Sequence, residues 1–451
     1  MLSDFQQPLT PHAPLPTLAE QQLGSAIRAY ARRKGNLASG LSLRALKAVD
    51  QKVDALMQAA RYYGPDILLD LQALEPKLTR QEAPGLAFVH VALNQSHGVA
   101  WADQMVCINR YWEANRGAVR DALWFFGDSK TCTALLQDTD ESLVRLGVEL
   151  AGRMALPQLL PQVYDAASRG IHIDECLLAC TRIGQPSENM EAHIAEVLRG
   201  HDLARQMLIL EALACMGGSI LQPELRQYIG RLTAPDGPTE DSHPEAWASV
   251  VDAAMAIWAA REPLQALSAV IDGLRIPNKT ALRVVAVAGH VDGILPVLAH
   301  LDGLDRALDS AEQDVIRLVF GQVPGELSNT LGEKEARRLA LRQLACGVFA
   351  SNGCTDLKPE HISLWSDTSV KDRLWALGPI RLRHGKPFAA QHVLDECFDL
   401  SHGLRRWLYI AYSHQVGRPC ALAHEDFAMR QMDAVESLLL LHSMEAGDDE
   451  V

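Results

Sequence analysis

LVRLGVELAGRMALPQLLPQVY (143–164) and ALRVVAVAGHVDGILPVLAHL (281–301) follow one plan, and that plan decides the fold. Each opens with an apolar helical stretch carrying an arginine near its start, Arg145 in the first and Arg283 in the second. Each stretch closes on an Ala-Gly pair and continues through a short linker into a leucine-rich segment containing proline. The plan recurs in CLLACTRIG (176–184) followed by MEAHIAEVL (190–198), and in MLILEALACMGG (207–218) followed by LQPELRQYIG (221–230). A looser copy is WASVVDAAMAIWAAREPLQALSAVI (247–271). Gly152, Gly184 and Gly217 stand 32 and 33 positions apart, and the polar loop APDGPTEDSHPE (234–245) lengthens the next interval, which ends at Gly289. Glycine accepts the left-handed conformation that ends a helix, so these glycines are expected at helix ends. The prolines suit the first turn of a following helix, where the missing N–H is not needed.

Two short antiparallel helices cannot bury their apolar faces alone, so neighbouring pairs must stack. Helix pairs with a period of roughly 30 to 47 residues fall in the HEAT, armadillo and tetratricopeptide range. The tetratricopeptide pattern of Trp, Gly and Tyr at fixed offsets is absent. The expected fold is therefore all-α, a HEAT-like α-solenoid of stacked antiparallel helix pairs. Alternating β-branched or aromatic runs do not recur, whereas helical spacing recurs almost everywhere. In LSLRALKAVDQKVDALMQAARYYG (41–64) apolar residues fall at three- and four-residue steps up to Gly64. The expected organisation is a Pro-rich tail (1–17), an N-terminal helical region (18–138), the repeats (139–303), a C-terminal helical region (304–442) and an acidic tail (443–451).

The chain has 451 residues, 48% hydrophobic and 22% charged, the balance of a soluble globular protein. No apolar run approaches the ~20 residues of a membrane span, and the N-terminal stretch lacks the basic leader and apolar core of a secretory signal. Nine scattered cysteines without a CxxC pair point to reduced thiols and a cytoplasmic location. A formal charge of -14 argues against nucleic-acid binding, which needs a basic surface.

Two six-residue stretches concentrate chemistry-bearing side chains: IHIDEC (171–176) and HVLDEC (392–397). In the first, Asp174 and Glu175 are expected in the first turn of a helix, where carboxylates favour the positive end of the dipole. In the second, a helix beginning after Pro387 would place Asp395 and Glu396 in its later turns. The contexts differ, so a duplicated site is not expected. Cys176 and Cys180 share a helix face but no second ligand pair accompanies them, and zinc spacing is lacking. GxGxxG, Walker, GxSxG and HExxH motifs are absent. The expected protein is not an enzyme and holds no cofactor or metal.

One basic and aromatic cluster stands out. PIRLRHGKP (379–387) supplies Arg381 and Arg383, and GLRRWLYIAY (403–412) supplies Arg405, Arg406 and Trp407. Arginine and tryptophan are favoured at interface hot spots. These five are the candidate partner-binding residues, against the alternative of a core tryptophan flanked by solvated arginines.

LKAVDQKVDALMQAARYYG (46–64), the central Ala-Gly repeats, and RHGKPFAAQHVLDE (383–396), LRRWLYIAY (404–412) and FAMRQ (427–431) together resemble an uncharacterised bacterial family of HEAT-like repeat proteins associated with type VI secretion gene clusters. The likeness runs from Leu41 to Met432. It implies a cytoplasmic adaptor, chaperone or scaffold whose protein partner is a secreted effector, a spike protein or another secretion component. An immunity protein that neutralises a toxin is the first alternative, and an enzyme or nucleic-acid-binding protein on the same scaffold is the second. The resemblance brings no catalytic residues with it.

Overall fold

The structure is a computed structural model that describes residues 16–38, 41–184, 190–216, 220–234, 244–304, 306, 308–321, 334–351, 381–383, 386–387, 394, 397–416 and 425–448. The described residues are all-α, apart from an antiparallel ribbon of two two-residue strands. It divides into two compact units. One runs to His172 and includes Phe427–Met429; the other holds Ile173–Asp426 and Arg430 onwards. The division falls inside the span 139–303 read above as one array.

The first unit contains α1 (Pro16–Ala38), α2 (Leu43–Arg61), α3 (Ile67–Leu74), α4 (Ala83–Ser96), α5 (Trp101–Phe126), α6 (Ser129–Leu136), α7 (Glu141–Arg153) and α8 (Leu160–Ser168). Helix α2 shows how local sequence builds them. Ser42 Oγ accepts the Ala45 N–H at its start, and Leu43, Leu46, Asp50, Val53, Met57 and Ala60 form the buried stripe. Helix α1 packs on α2, α3 and α4, and α4 packs on α5. Between them the Tyr30 ring stacks on Phe88 at 4.0 Å, and its hydroxyl donates to Asp121 at 2.6 Å.

A buried ion pair lies beside this stack. Arg33 Nε donates to Asp50 Oδ1 at 2.7 Å, with both side chains almost fully enclosed. The Arg33 guanidinium lies 4.2 Å from the centre of the Phe427 ring, which also packs against Phe125 at 4.3 Å. Asp50 Oδ2 accepts the backbone N–H of Ala428 at 2.6 Å. A carboxylate on α2 thereby satisfies a backbone N–H 378 positions away in the chain, within the same unit.

The second unit contains α9 (Ile173–Ile183), α10 (Met190–Arg199), α11 (Leu203–Met216), α12 (Gln222–Leu232), α13 (Pro244–Arg261), α14 (Pro263–Ile271), α15 (Asn278–Ala288), α16 (Val291–Gly303), α17 (Ser310–Phe320) and α18 (Lys334–Ser351). After these come the ribbon of β1 (Leu382–Arg383) and β2 (Lys386–Pro387), then α19 (His402–Val416). The last helix, α20, spans Ala428–Asp448. Helices α9, α11, α13, α15 and α17 pack one on the next in chain order. The intervening helices lie beside them: α10 contacts α11 and α12, α14 contacts α13 and α15, and α16 contacts α15.

Several local expectations meet a different outcome. Gly152 lies within the last turn of α7; that helix ends at Arg153 with Met154 as its cap, and it is Ala155 that takes the positive φ, 48°. Gly217 lies outside the described residues. Gly184 and Gly289 do adopt left-handed conformations, with φ of 85° and 63°. Pro161, Pro223 and Pro263 start helices, but Pro296 sits inside α16, where it removes one helix hydrogen bond. Of the tail read as 1–17, Pro16 and Thr17 already belong to α1, and the rest lies outside the described residues. The helix expected through HVLDEC is not present at its end: Cys397 stands in a turn, and the other described residue, Leu394, in a bend. Helix α20 continues to Asp448, through most of the stretch read as an acidic tail.

Gly289 joins conformation to packing. A Cβ there would sit 2.4 Å from the Leu382 carbonyl oxygen, which belongs to β1. Gly289→Ala should lower stability by on the order of 1 kcal/mol or more, from both the positive φ and the clash. Gly230→Ala in α12 meets nothing within 4 Å. It should raise stability by up to about 1 kcal/mol through helix propensity. Urea unfolding midpoints compare the two, and equal midpoints would remove the packing role assigned to Gly289.

Candidate functional site

The five stacked helices of the second unit each carry a charged side chain that answers a neighbouring element. Arg182 on α9 donates to Glu211 on α11 at 3.2 Å. Arg283 on α15 donates to Asp252 Oδ1 on α13 at 2.7 Å, and Thr280 donates to the same oxygen at 2.9 Å. On α17, Asp314 accepts the backbone N–H of Ser401 at 3.2 Å. Burial works against ionisation of Asp314 and shifts its carboxyl upward despite that hydrogen bond. The arginine near the start of the repeated first helix is thus, at Arg283, one half of an ion pair between successive stacked helices.

Helix α19 lies against this row and meets it rung by rung. It packs on α11, α13, α15 and α17. Ser401, just before its first turn, meets Asp314 of α17. Gly403 packs so closely on Arg283 of α15 that an added Cβ would come within 2.1 Å of the guanidinium. The indole N–H of Trp407 donates to Asp252 Oδ2 of α13 at 3.0 Å. Arg406 lies 3.8 Å from Glu211 of α11, and Ser413 Oγ donates to the Cys215 carbonyl at 3.4 Å. Leu404, Trp407 and Leu408 are fully buried. The helix therefore reads the row through polar contacts and is fixed to it by apolar ones.

Three of the five candidate residues are placed inside the fold, so they do not form one exposed clamp. Arg383, Arg405 and Trp407 are buried, Arg381 is half-buried, and Arg406 keeps only partial exposure in its contact with Glu211. Arg381 donates to the Ala288 carbonyl at 2.7 Å and to that of Val287 at 3.2 Å; Arg383 also donates to Val287 at 3.3 Å. These carbonyls end α15, where cations are favoured by orphan acceptors and by the helix dipole. Burial pushes Arg383 down to about 9. Arg405 donates to the Leu400 carbonyl at 2.7 Å. Periodicity alone could not assign these roles, because Arg381, Arg383 and Arg405 reach backbone carbonyls and Arg406 meets a carboxylate far away in the chain.

IHIDEC enters the structure as expected at one point and gains a role there. Asp174 and Glu175 occupy the first turn of α9. Asp174 is buried, and its carboxylate joins three helices: His193 Nε2 of α10 lies 2.6 Å from it, and Arg205 of α11 donates at 2.7 and 3.2 Å. Burial opposes ionisation, but the hydrogen bonds from Arg205 and His193 outweigh it and hold this carboxyl below its ordinary range. Cys176 and Cys180 are buried in the same helix. Burial also pushes the thiols of Cys107 and Cys132 up to about 12, which removes their nucleophilic form at neutral pH. Among the described residues no group of three or more His, Cys, Asp or Glu side chains is placed to hold a metal ion.

No protein-family model, curated protein or solved structure matches this chain.

Two expectations follow from the site. Trp407→Ala removes a fully buried indole and leaves a cavity, so it should cost about 3–5 kcal/mol, whereas Arg406→Ala breaks a partly exposed pair and should cost less than about 1 kcal/mol. Denaturant unfolding separates them; similar small losses would mean that Trp407 is not core. Asp174 contributes stability that is complete above about pH 3.9, the unfolded value, and is lost as pH falls through its lower folded value. Asp174→Asn should flatten that acid limb in unfolding titrations between pH 2 and 5, on the scale of about one proton. An unchanged limb would deny the ion pair its linkage.

Proposed function

We propose that this chain is a non-enzymatic, protein-binding α-solenoid that works in the cytoplasm as an adaptor, chaperone or scaffold for type VI secretion effectors or spike proteins. The solenoid reading is supported by the chain-order packing of α9, α11, α13, α15 and α17, with the intervening helices beside them. The observation that carries protein binding is the seating of α19. A row of stacked helices receives a helix through polar contacts at α17, α13 and α11, which is the logic of helix-in-groove recognition. The formal charge of -14 suits a basic or transiently unfolded protein cargo and disfavours nucleic acid. No helix of the described residues is long and apolar enough to cross a membrane. The link to type VI secretion rests on the family resemblance alone.

Affinity purification from the native host should recover a secreted effector, a spike protein or another secretion component. Deleting the gene should reduce secretion without poisoning kin cells. Kin-cell killing upon deletion would instead assign an immunity role, and recovery of no specific protein would count against binding altogether.

A further inference from the structure

We propose that the break in α5 is a phosphate-binding site, built from Lys34 of α1 with Trp112 and Arg116 of α5. It takes a phosphate group, free or carried by a small molecule. All three residues belong to the first unit, and the site is independent of the protein-binding reading above.

Helix α5 is interrupted at one residue. Asn115 has φ of -138° and ψ of 38°, outside the helical range, so 101–114 and 116–126 are two helical stretches joined there. The second stretch opens at the break, where the positive end of its dipole favours an anion.

Two cations stand at this point. Tyr30 of α1 bonds Asp121 of α5, and one turn further along α1 Lys34 lies over Gly117, one turn back along α5. A Cβ at Gly117 would sit 3.0 Å from Lys34 Nζ. Gly117 is not among the glycines of positive φ, so what it provides is room for the ammonium; a glycine inside a helix otherwise only weakens it. Arg116, the preceding residue, is exposed, and its guanidinium carbon lies 5.5 Å from the centre of the Trp112 ring.

Neither cation is answered by a carboxylate among the described residues. Their neighbours are. On α5, Arg110 pairs with Glu75, and Arg120 pairs with Asp121 and Glu149. On α1, Arg28 pairs with Glu82 and Arg33 with Asp50. Glu113, one turn before Arg116, is exposed and pairs with neither Arg116 nor Lys34.

Beneath Arg116 is a third donor without an acceptor. Trp112 is 7% exposed, and its indole N–H is buried with no hydrogen-bond partner among the described residues. The indoles of Trp247, Trp258 and Trp407 all donate. A buried donor left unpaired is costly and rare, and a bound oxygen is one way to satisfy it. Three donors with no acceptor define an oxyanion. An ammonium and a guanidinium together match the charge of a phosphate group, about -1.5 to -2 at pH 7, better than the single charge of a carboxylate. The arginine fork takes two oxygens and the lysine acts as a point charge.

The test titrates the full chain with inorganic phosphate, at an ionic strength held constant with sodium chloride, and follows the indole N–H resonances by NMR. Trp112→Phe assigns the Trp112 signal. Phosphate should shift that signal saturably. Arg116→Gln, which alters an exposed side chain, and Lys34→Gln should each weaken binding about tenfold, the loss of one charge-assisted hydrogen bond. Gly117→Ala should weaken it as well, with Lys34 still present but pushed aside. Glycerol phosphate, a phosphomonoester, tells the sources apart: tighter binding than inorganic phosphate assigns a carried phosphate group, weaker binding assigns the free ion, and both uphold the site. If the Trp112 signal of the wild type does not respond to phosphate, or responds equally in Arg116→Gln and Lys34→Gln, the proposal is overturned. Acetate binding as tightly as phosphate would overturn the phosphate assignment.

Discussion

The carboxylate of Asp252 has two oxygens and gives each to a different element. One takes Arg283 and Thr280 of α15, and the other takes the indole of Trp407 on α19. A half-buried carboxylate needs such partners, since leaving it without them costs far more than the bonds contribute when made. The stack of α13 on α15 and the seating of α19 are therefore one commitment. The neighbouring rungs repeat the condition with other residues, Glu211 toward α9 and α19, and Asp314 toward Ser401.

The same device appears in the first unit. Asp50 gives one oxygen to Arg33 and the other to the backbone N–H of Ala428, while Phe427 fills the space under the guanidinium among Phe88 and Phe125. Asp174 repeats it with His193 and Arg205. In all three cases one carboxylate joins two further segments of the same unit. Helices joined only by apolar stripes can slide by a turn with modest loss, but a two-oxygen junction admits one register. Buried polar groups acting as registry devices are well attested in helical assemblies.

Several buried titratable groups among the described residues are held neutral by their surroundings. The buried thiols of Cys107 and Cys132 are held in their protonated form, and His402 is pushed down to about 4 by burial. His90, hydrogen-bonded to Tyr111, is likewise pushed down to about 4 by burial. These groups are packed as neutral polar side chains.

The sequence by itself determined the all-α class, the helical spans around Gly184 and Gly289, and the placement of Asp174 and Glu175 in a first turn. These depend on spacing of three or four residues, on glycine's freedom at positive φ and on dipole chemistry, all of which act within a few positions. It also showed the arginine near the start of the repeated first helix, though not what it meets. The tertiary structure decided the rest. Whether Trp407 faces solvent or core depends on Asp252, 155 positions earlier, and whether Arg381 and Arg383 meet a partner or cap α15 depends on carbonyls more than ninety positions away. A period in the sequence reports the packing of near neighbours. The fate of a basic helix is set instead by which distant polar groups would be left unsatisfied without it, and no local pattern carries that information.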